Sequence, residues 1–475
     1  MLKLNASCAQ RWWKQGVVWV GALLFVLTLA KGMVWVALVP IGQHPDEPVH
    51  AVYADAIGRD LSVRPGPRVP SVGIDQALTA TSFGRMPFNA HIKMPFDDES
   101  LAERQVDLSG TAETRHQLGT ASPASAADYP PLYYFLSGLV VRGSPDAQYD
   151  TTWLLERSFS AIIAALTIVV QFAVFLMVFP GSVARAGIAA LTLTMMPMYT
   201  AMESAINPEV LLVLWGSAII GLSIRLLRAP YSWRLHALSG LVMTAALLTK
   251  PNGAVLLVPY LTGAILGAVQ GRFAWRAAAG RAVAFAAPIV LIYGGWRSLP
   301  PRAGGFRSST AGWPEFHIDG ASLEAFFAHL SAQGRWRFSE LYWGVFGWVD
   351  TAMPANVLSA AYWFGIGVFV VIVIAAFDRE LPPFVWVCVA SVVATLALVL
   401  FIEYLSVLSQ TGGFAQGRYF FSVVAAIVAI QMWAVDRLFR ARWRLRTLAW
   451  AIAPVAVGAF HLVAVFRAVV PRYFL

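Results

Sequence analysis

Uninterrupted apolar runs dominate this chain, and they exclude most of the folds otherwise open to 475 residues. A helix rising about 1.5 Å per residue needs about 20 apolar residues to cross a hydrocarbon core of about 30 Å. The first run, from near Gly16, is about 24 residues long with no small-residue cleavage site after it, so it reads as an uncleaved spanning helix. Further spans are expected at about Trp153 to Phe179, Ala184 to Tyr199, Pro208 to Leu227, His236 to Thr249, Gly253 to Val269, Ala282 to Leu299, Val357 to Phe377, Pro383 to Leu405, Tyr419 to Asp436 and Leu445 to Val469. The expected fold is therefore all-α and integral to the membrane, with about eleven transmembrane helices. With 58% hydrophobic and 13% charged residues, one or two soluble domains are excluded.

The formal excess of +9 falls in short basic clusters between apolar runs, as the positive-inside rule requires, so no nucleic-acid partner follows from it. Cys8 and Cys388 are the only cysteines, too few for a disulfide framework or a thiolate metal site. Lys3, Arg11 and Lys14 precede the first span and put the N-terminus in the cytoplasm. The segment from there to about Tyr129 is then a large outer loop, with a Pro-rich part (Arg64 to Pro70) and a solvated acidic run (Asp97, Asp98, Glu99). Arg185, Arg225, Arg228, Arg234, Arg272, Arg276, Arg281, Arg379 and the arginines from Arg437 to Arg446 all become cytoplasmic only if Pro131 to Val141 returns to the side it came from. That piece is too short to span, so it reads as an interfacial or re-entrant helix. The chain divides into 1–299 with its outer loop 42–152, a second outer loop 300–356, and the helices of 357–475.

Directly after the first span stands His44-Pro45-Asp46-Glu47-Pro48-Val49-His50-Ala51-Val52-Tyr53. A helix is expected to begin here, capped by Asp46, to stop at Gly58, and to lie in the interface with Val49, Val52, Tyr53, Ala56 and Ile57 on its apolar face. The topology brings further polar residues to the same outer side: Tyr129, Tyr133, Tyr134, Glu203, Asn207, Glu209, Lys250 and Arg418. A carboxylate and a cation at one membrane surface suit a reaction in which the acid takes a hydroxyl proton while the cation holds a departing phosphate. Asp46 and Glu47 are the candidate catalytic acids; the alternative is a helix cap beside a favourable dipole charge. Lys250 and Arg418 are candidate phosphate contacts, against snorkelling anchors. His50, Tyr133, Tyr134, Glu203, Asn207 and Glu209 are candidate substrate contacts, against ordinary packing and loop roles. Glu403 is expected to pair with Arg418. Trp343, Phe346 and Trp348 are expected in an interfacial aromatic belt. The pairs His44-x-Asp46 and Asp46-x3-His50 could ligate a metal, but no further clear ligand stands nearby, so no metal or other cofactor is assigned.

Pro45-Asp46-Glu47-Pro48-x-His50, Tyr129-Pro130-Pro131-Leu132-Tyr133-Tyr134, Asn207-Pro208-Glu209 and Leu248-Thr249-Lys250 occur in that order. With these motifs the chain resembles the GT-C superfamily of multi-pass glycosyltransferases. It looks most like a branch of bacterial predicted membrane proteins catalogued as a domain of unknown function, in which Tyr342-Trp343-Gly344-x-Phe346-Gly347-Trp348 and Gly417-Arg418-Tyr419 are also typical. The resemblance implies a GT-C-like fold in the inner membrane of a bacterium, a polyprenyl-phosphate-linked sugar donor used on the periplasmic side, a glycan or lipid acceptor, and inversion at the anomeric carbon. It implies a base at Asp46 or Glu47, a second acidic position at Glu209, and lipid-phosphate contacts at Lys250 and Arg418. Two alternatives stay open: a transporter or flippase of a lipid-linked or small polar substrate, and a non-catalytic scaffold. Transport would call for ionisable residues deep in spans. The spans look nearly clean apart from near-terminal Glu156, Arg157, Glu403 and Arg467.

Overall fold

Backbone placed in hydrocarbon must satisfy its own hydrogen bonds, so the apolar runs form helices. The computed structural model describes residues 6–60, 86, 89, 91–93, 129–143, 149–271, 275–299, 317–333, 337–377, 381–409 and 416–475. The Pro-rich Arg64 to Pro70 stretch, the Asp97 to Glu99 run and part of the second outer loop lie outside these residues. In order, the helices are α1 (Ala6–Leu38), α2 (Glu47–Asp60), α3 (Leu132–Gly143), α4 (Tyr149–Val178), α5 (Val183–Thr194), α6 (Pro197–Glu203), α7 (Glu209–Leu226) and α8 (Trp233–Thr249). A 3-10 turn, Pro251–Leu256, leads into α9 (Leu257–Gln270), and α10 (Trp275–Pro288) continues through π-helical Ile289–Gly294 into α11 (Gly295–Ser298). Then come α12 (Gly320–Gln333), α13 (Arg337–Trp343), a two-residue hairpin β1 (Val345–Phe346) and β2 (Thr351–Ala352), α14 (Ala355–Phe377), α15 (Pro383–Leu408), a 3-10 turn Gly417–Val423, α16 (Val424–Leu438), α17 (Trp443–Ala464), a π-helical Val465–Val469 and α18 (Val470–Tyr473).

The chain is an all-α integral membrane protein. Among the described residues nine helical segments are long and apolar enough to cross a membrane, not eleven. The expected Ala184 to Tyr199 span is two short helices, α5 and α6. The break sits at Met196, which is extended at φ −66 and ψ 122 because the residue before Pro197 is sterically barred from the helical region. The expected His236 to Thr249 span is α8, which at 17 residues falls just short of that length. The α7 window is 72% buried and lies at the centre of the bundle, whereas the α14 window is 17% buried and lies at its rim.

Two features frame the end of the bundle where α1 meets α2. Helix α2 runs past Gly58 to Asp60, and it is enclosed by protein: Ala51, Val52, Tyr53, Ala54, Asp55, Ala56 and Ile57 are all buried. Gly58 therefore does not stop the helix. Its bare Cα meets Gly138 of α3, where an added methyl would overlap the Gly138 backbone. The hairpin reaches inward too. Phe346 packs on Trp35 at 5.4 Å, Trp343 packs edge-on against Phe460, and Trp348 Nε1 donates to the Gly42 carbonyl at 3.1 Å. These three aromatics are interior contacts, not a belt facing lipid. Arg472 donates to the carbonyls of Met86 and Ile92 and to Asp350, while Lys93 donates to the Pro471 carbonyl at 2.7 Å. Helix α18 thus ties Met86, Ile92 and Lys93 to the hairpin.

Gly58→Ala and Gly138→Ala are each expected to lower stability by about 1–3 kcal/mol, since two backbones in contact cannot yield to a methyl group. Thermal unfolding in detergent checks this, with Gly365→Ala, which has open space around it, expected to match the parent.

Candidate functional site

The link from α1 to α2 is two successive tight turns. Gln43 N donates to the Pro40 carbonyl and Glu47 N to the His44 carbonyl, and the third residue of each turn is left-handed: Gly42 at φ 77 and Asp46 at φ 62. Pro45 followed by a positive φ is the pattern of a type II turn, and aspartate bears that conformation better than most residues. Asp46 therefore does not act as an ordinary helix cap. The turn sends the two neighbouring acids in different directions.

Glu47 goes inward, with a fully buried side chain. Its Oε1 accepts from Arg157 Nε at 2.7 Å and Ile206 N at 3.1 Å, and its Oε2 from Arg157 Nη2 at 2.6 Å and Gly42 N at 3.2 Å. The remaining Arg157 donors go to the carbonyls of Val36 (3.2 Å), Val39 (2.5 Å) and Pro40 (2.9 Å) at the end of α1, where a helix leaves its carbonyls unpaired and favours a cation. All five guanidinium donors and both carboxylate oxygens are used. Burial pushes Glu47 upward, and the Arg157 guanidinium outweighs it, holding the carboxyl below its ordinary value.

Asp46 goes outward. Its side chain is 52% exposed, and Oδ2 accepts from Arg418 Nη2 at 2.8 Å. Burial again pushes the carboxyl upward, but the Arg418 charge outweighs it, with Lys250 adding to the same effect. Arg418 is the second residue of the 3-10 turn before α16 and is brought close by Gly417, which lies against the backbone of Phe338 and Tyr342 where no side chain would fit. Its Nη1 is buried and has no hydrogen-bond partner among the described residues. Lys250, held above its ordinary value because Glu209 outweighs the effect of burial, pairs with that carboxylate and lies over the rings of Tyr129 (5.6 Å) and Tyr419 (5.5 Å). Tyr419 also lies under Arg418, at 5.8 Å. His50 bonds Tyr134 through Nδ1 at 2.8 Å, and burial pulls it down to about 3, so it is neutral at physiological pH. One open acid, a buried guanidinium with a spare donor, and a lysine between two tyrosines thus share one site.

The other expected contacts sort by this geometry. Tyr133 is sealed inside, bonding Ser160 at 2.9 Å and accepting from Asn207 N at 3.0 Å. Asn207 accepts from Glu209 N at 2.9 Å and so caps α7. Tyr134 is buried behind His50. Glu203 is not part of the cluster. It sits inside the bundle within electrostatic reach of Lys31, a residue the sequence reading passed over, which donates to the Thr194 carbonyl and the Thr200 hydroxyl. A lysine inside an apolar run is costly in lipid, and that cost was the signal for it. Arg418 does not pair with Glu403, whose Oε1 instead meets His329 Nε2 at 2.6 Å. Arg157 was noted only as a charge near a span end. Among the described residues no group of three or more His, Cys, Asp or Glu is placed to hold a metal.

Glu47→Gln is expected to cost about 3–5 kcal/mol, because it leaves the Arg157 charge buried and unpaired. The pair's contribution should be complete above the ordinary glutamate value and be lost only as pH falls through the depressed one. Thermal unfolding from about pH 7 down to pH 3 checks both the cost and the direction.

Residues 29–427 match the family described as predicted membrane protein (DUF2142). No curated protein sequence matches the chain. Among solved structures, ArnT from Cupriavidus metallidurans, crystallised with undecaprenyl phosphate, is similar with a TM-score of 0.48 at 16% identity, over 96% of this chain and 72% of that one. The Archaeoglobus fulgidus oligosaccharyltransferase, tethered to an acceptor peptide containing the NVT sequon, gives 0.47 at 11% identity, over 95% of this chain and 55% of that one. The family match takes in most of the chain, from inside α1 to inside α16 and across every residue of the site, and the protein belongs to the DUF2142 family of predicted membrane proteins.

Proposed function

We propose that the protein is an integral-membrane glycosyltransferase of a bacterial inner membrane, moving a sugar from a polyprenyl-phosphate donor to a glycan or lipid acceptor on the periplasmic side. The observation that carries this reading is the half-exposed Asp46 carboxylate joined to Arg418, whose second Nη is buried without a partner. Asp46 takes the proton of the acceptor hydroxyl as its oxygen bonds to the anomeric carbon. The bond from that carbon to the phosphate oxygen breaks on the opposite face, and the polyprenyl phosphate leaves with the electron pair. Arg418 Nη1 and the Lys250 ammonium face the charge that develops there, and a cation already in position needs no reorganisation as the bond breaks. Glu209 keeps Lys250 charged and Glu47 keeps the turn in shape, so neither needs to touch substrate.

The test is transfer from polyprenyl-phosphate sugars to membrane glycans by the purified protein in lipid. Asp46→Asn, which suits the same left-handed backbone and keeps an oxygen for Arg418 Nη2, is expected to lower the turnover about 10²–10⁴-fold with a smaller loss of stability than Glu47→Gln. Arg418→Lys is expected to raise the KM for donor more than it changes turnover. Because Asp46 is depressed and His50 is already neutral, neither adds an ionisation between about pH 5 and 7, so activity should not fall on acidification over that range. Transfer unchanged by Asp46→Asn would overturn the proposal. The transport reading draws on Lys31 inside α1; it would be favoured by movement of a lipid-linked sugar that survives Asp46→Asn and is lost in Lys31→Met.

A further inference from the structure

Three tyrosines stand between Tyr129 and Tyr134, and two of them are used up inside the protein. Tyr133 bonds Ser160 and Asn207 N, and Tyr134 bonds His50. Tyr129 precedes Pro130, whose ring disfavours the helical region for the residue before it, so Tyr129 stands outside α3 while the other two lie within it. Its carbonyl accepts from the Tyr53 hydroxyl at 3.5 Å, its ring meets that of His50 at 5.6 Å and 73°, and Lys250 Nζ lies 5.6 Å from the ring centre. The backbone and ring are thus held in place. The hydroxyl has no hydrogen-bond partner among the described residues, and the residue is only partly buried.

Lys250 acts most strongly on this phenol and eases its ionisation, but burial, Tyr419, Asp46 and Glu209 together outweigh it and hold the group above its ordinary value. Tyr129 is therefore neutral at physiological pH, able both to donate and to accept, and within electrostatic reach of Asp46 and Lys250 alike. In the displacement at Asp46, the transferred sugar lies between the oxygen that Asp46 deprotonates and the phosphate that Lys250 faces. A hydroxyl that reaches both ends stands beside that sugar. Phosphate oxygens are met best by charged donors, which Arg418 and Lys250 supply, whereas a neutral hydroxyl matches the hydroxyls of a sugar.

We infer that the Tyr129 hydroxyl binds the sugar of the lipid-linked donor, and that Tyr129 is the residue by which the site tells a glycosylated lipid phosphate from one without a sugar. The inference rests on the transferase reading and adds to it a specificity-determining contact.

The full-length protein in detergent is titrated with polyprenyl methyl phosphate and with the glucosyl, mannosyl and pentosyl phosphodiesters of the same lipid, all of which carry one negative charge. Bound lipid is counted by native mass spectrometry, so the readout does not depend on transfer. A sugar ester is expected to bind more tightly than the methyl ester. Tyr129→Phe should cut that preference about 3–10-fold, the range of one neutral hydrogen bond, with binding of the methyl ester and thermal unfolding both unchanged. Tyr133→Phe, which removes a hydroxyl bonded inside the protein, should unfold earlier and keep the preference. A parent that binds neither kind of ester would overturn the transferase reading and the inference with it. Equal binding of methyl and sugar esters by the parent, a preference that survives Tyr129→Phe, or one lost equally in Tyr133→Phe would overturn the inference alone.

Discussion

A carboxylate and a guanidinium sealed together where α1 meets α2 hold that end of the bundle in place. Removing two charges from water costs several kcal/mol per ion and is recovered only when geometry is close to ideal and every remaining donor and acceptor is met. Glu47 and Arg157 fulfil that condition: five donors and two oxygens, shared among α1, α2, α4 and the backbone before α7, leave nothing unpaired. Because the partners are backbone carbonyls and amides as well as each other, the network fixes main chain. It sets where α1 ends, where α2 starts, and the conformation of the two turns between them.

That rigidity lets adjacent acids do opposite things. A single peptide step reverses the side chain, and the left-handed backbone of Asp46 completes the divergence, so one carboxylate is fully enclosed and its neighbour is half open. The cations divide in a similar way. Lys250 is balanced by Glu209 and flanked by two tyrosine rings, whereas Arg418 spends one nitrogen on Asp46 and keeps another without a partner. An unsatisfied buried donor is costly, and a site that retains one is suited to an incoming anion.

Much of the scaffold was legible in the sequence because membrane insertion is governed by local hydropathy, which one chain records directly. The first span, the short helix at the Pro-Pro motif and most of the later spans follow from it. The span count failed at Pro197, where composition outvoted the steric effect of one ring on Met196. The site was legible in its inventory but not in its pairings. Charge patterning groups Asp46, Lys250 and Arg418 at one end of the bundle. It cannot tell that Glu47 turns inward to a partner 110 positions away, or that His329 takes Glu403 and leaves Arg418 to Asp46. Gly58 shows the same limit: a helix-ending signal in one dimension is a helix-crossing contact in three.

The sequence separation of these partners also imposes an order in time. Arg157 follows Glu47 by 110 residues, so the buried pair can close while Arg418 is still to be made. Arg418 follows Asp46 by 372 residues, which at about 5–20 residues per second is a delay of roughly 20 to 75 s. During that interval the turn is already built and the acid stands without its cation, so the pocket is completed only once Arg418 has been made, after the membrane bundle has begun to assemble around it.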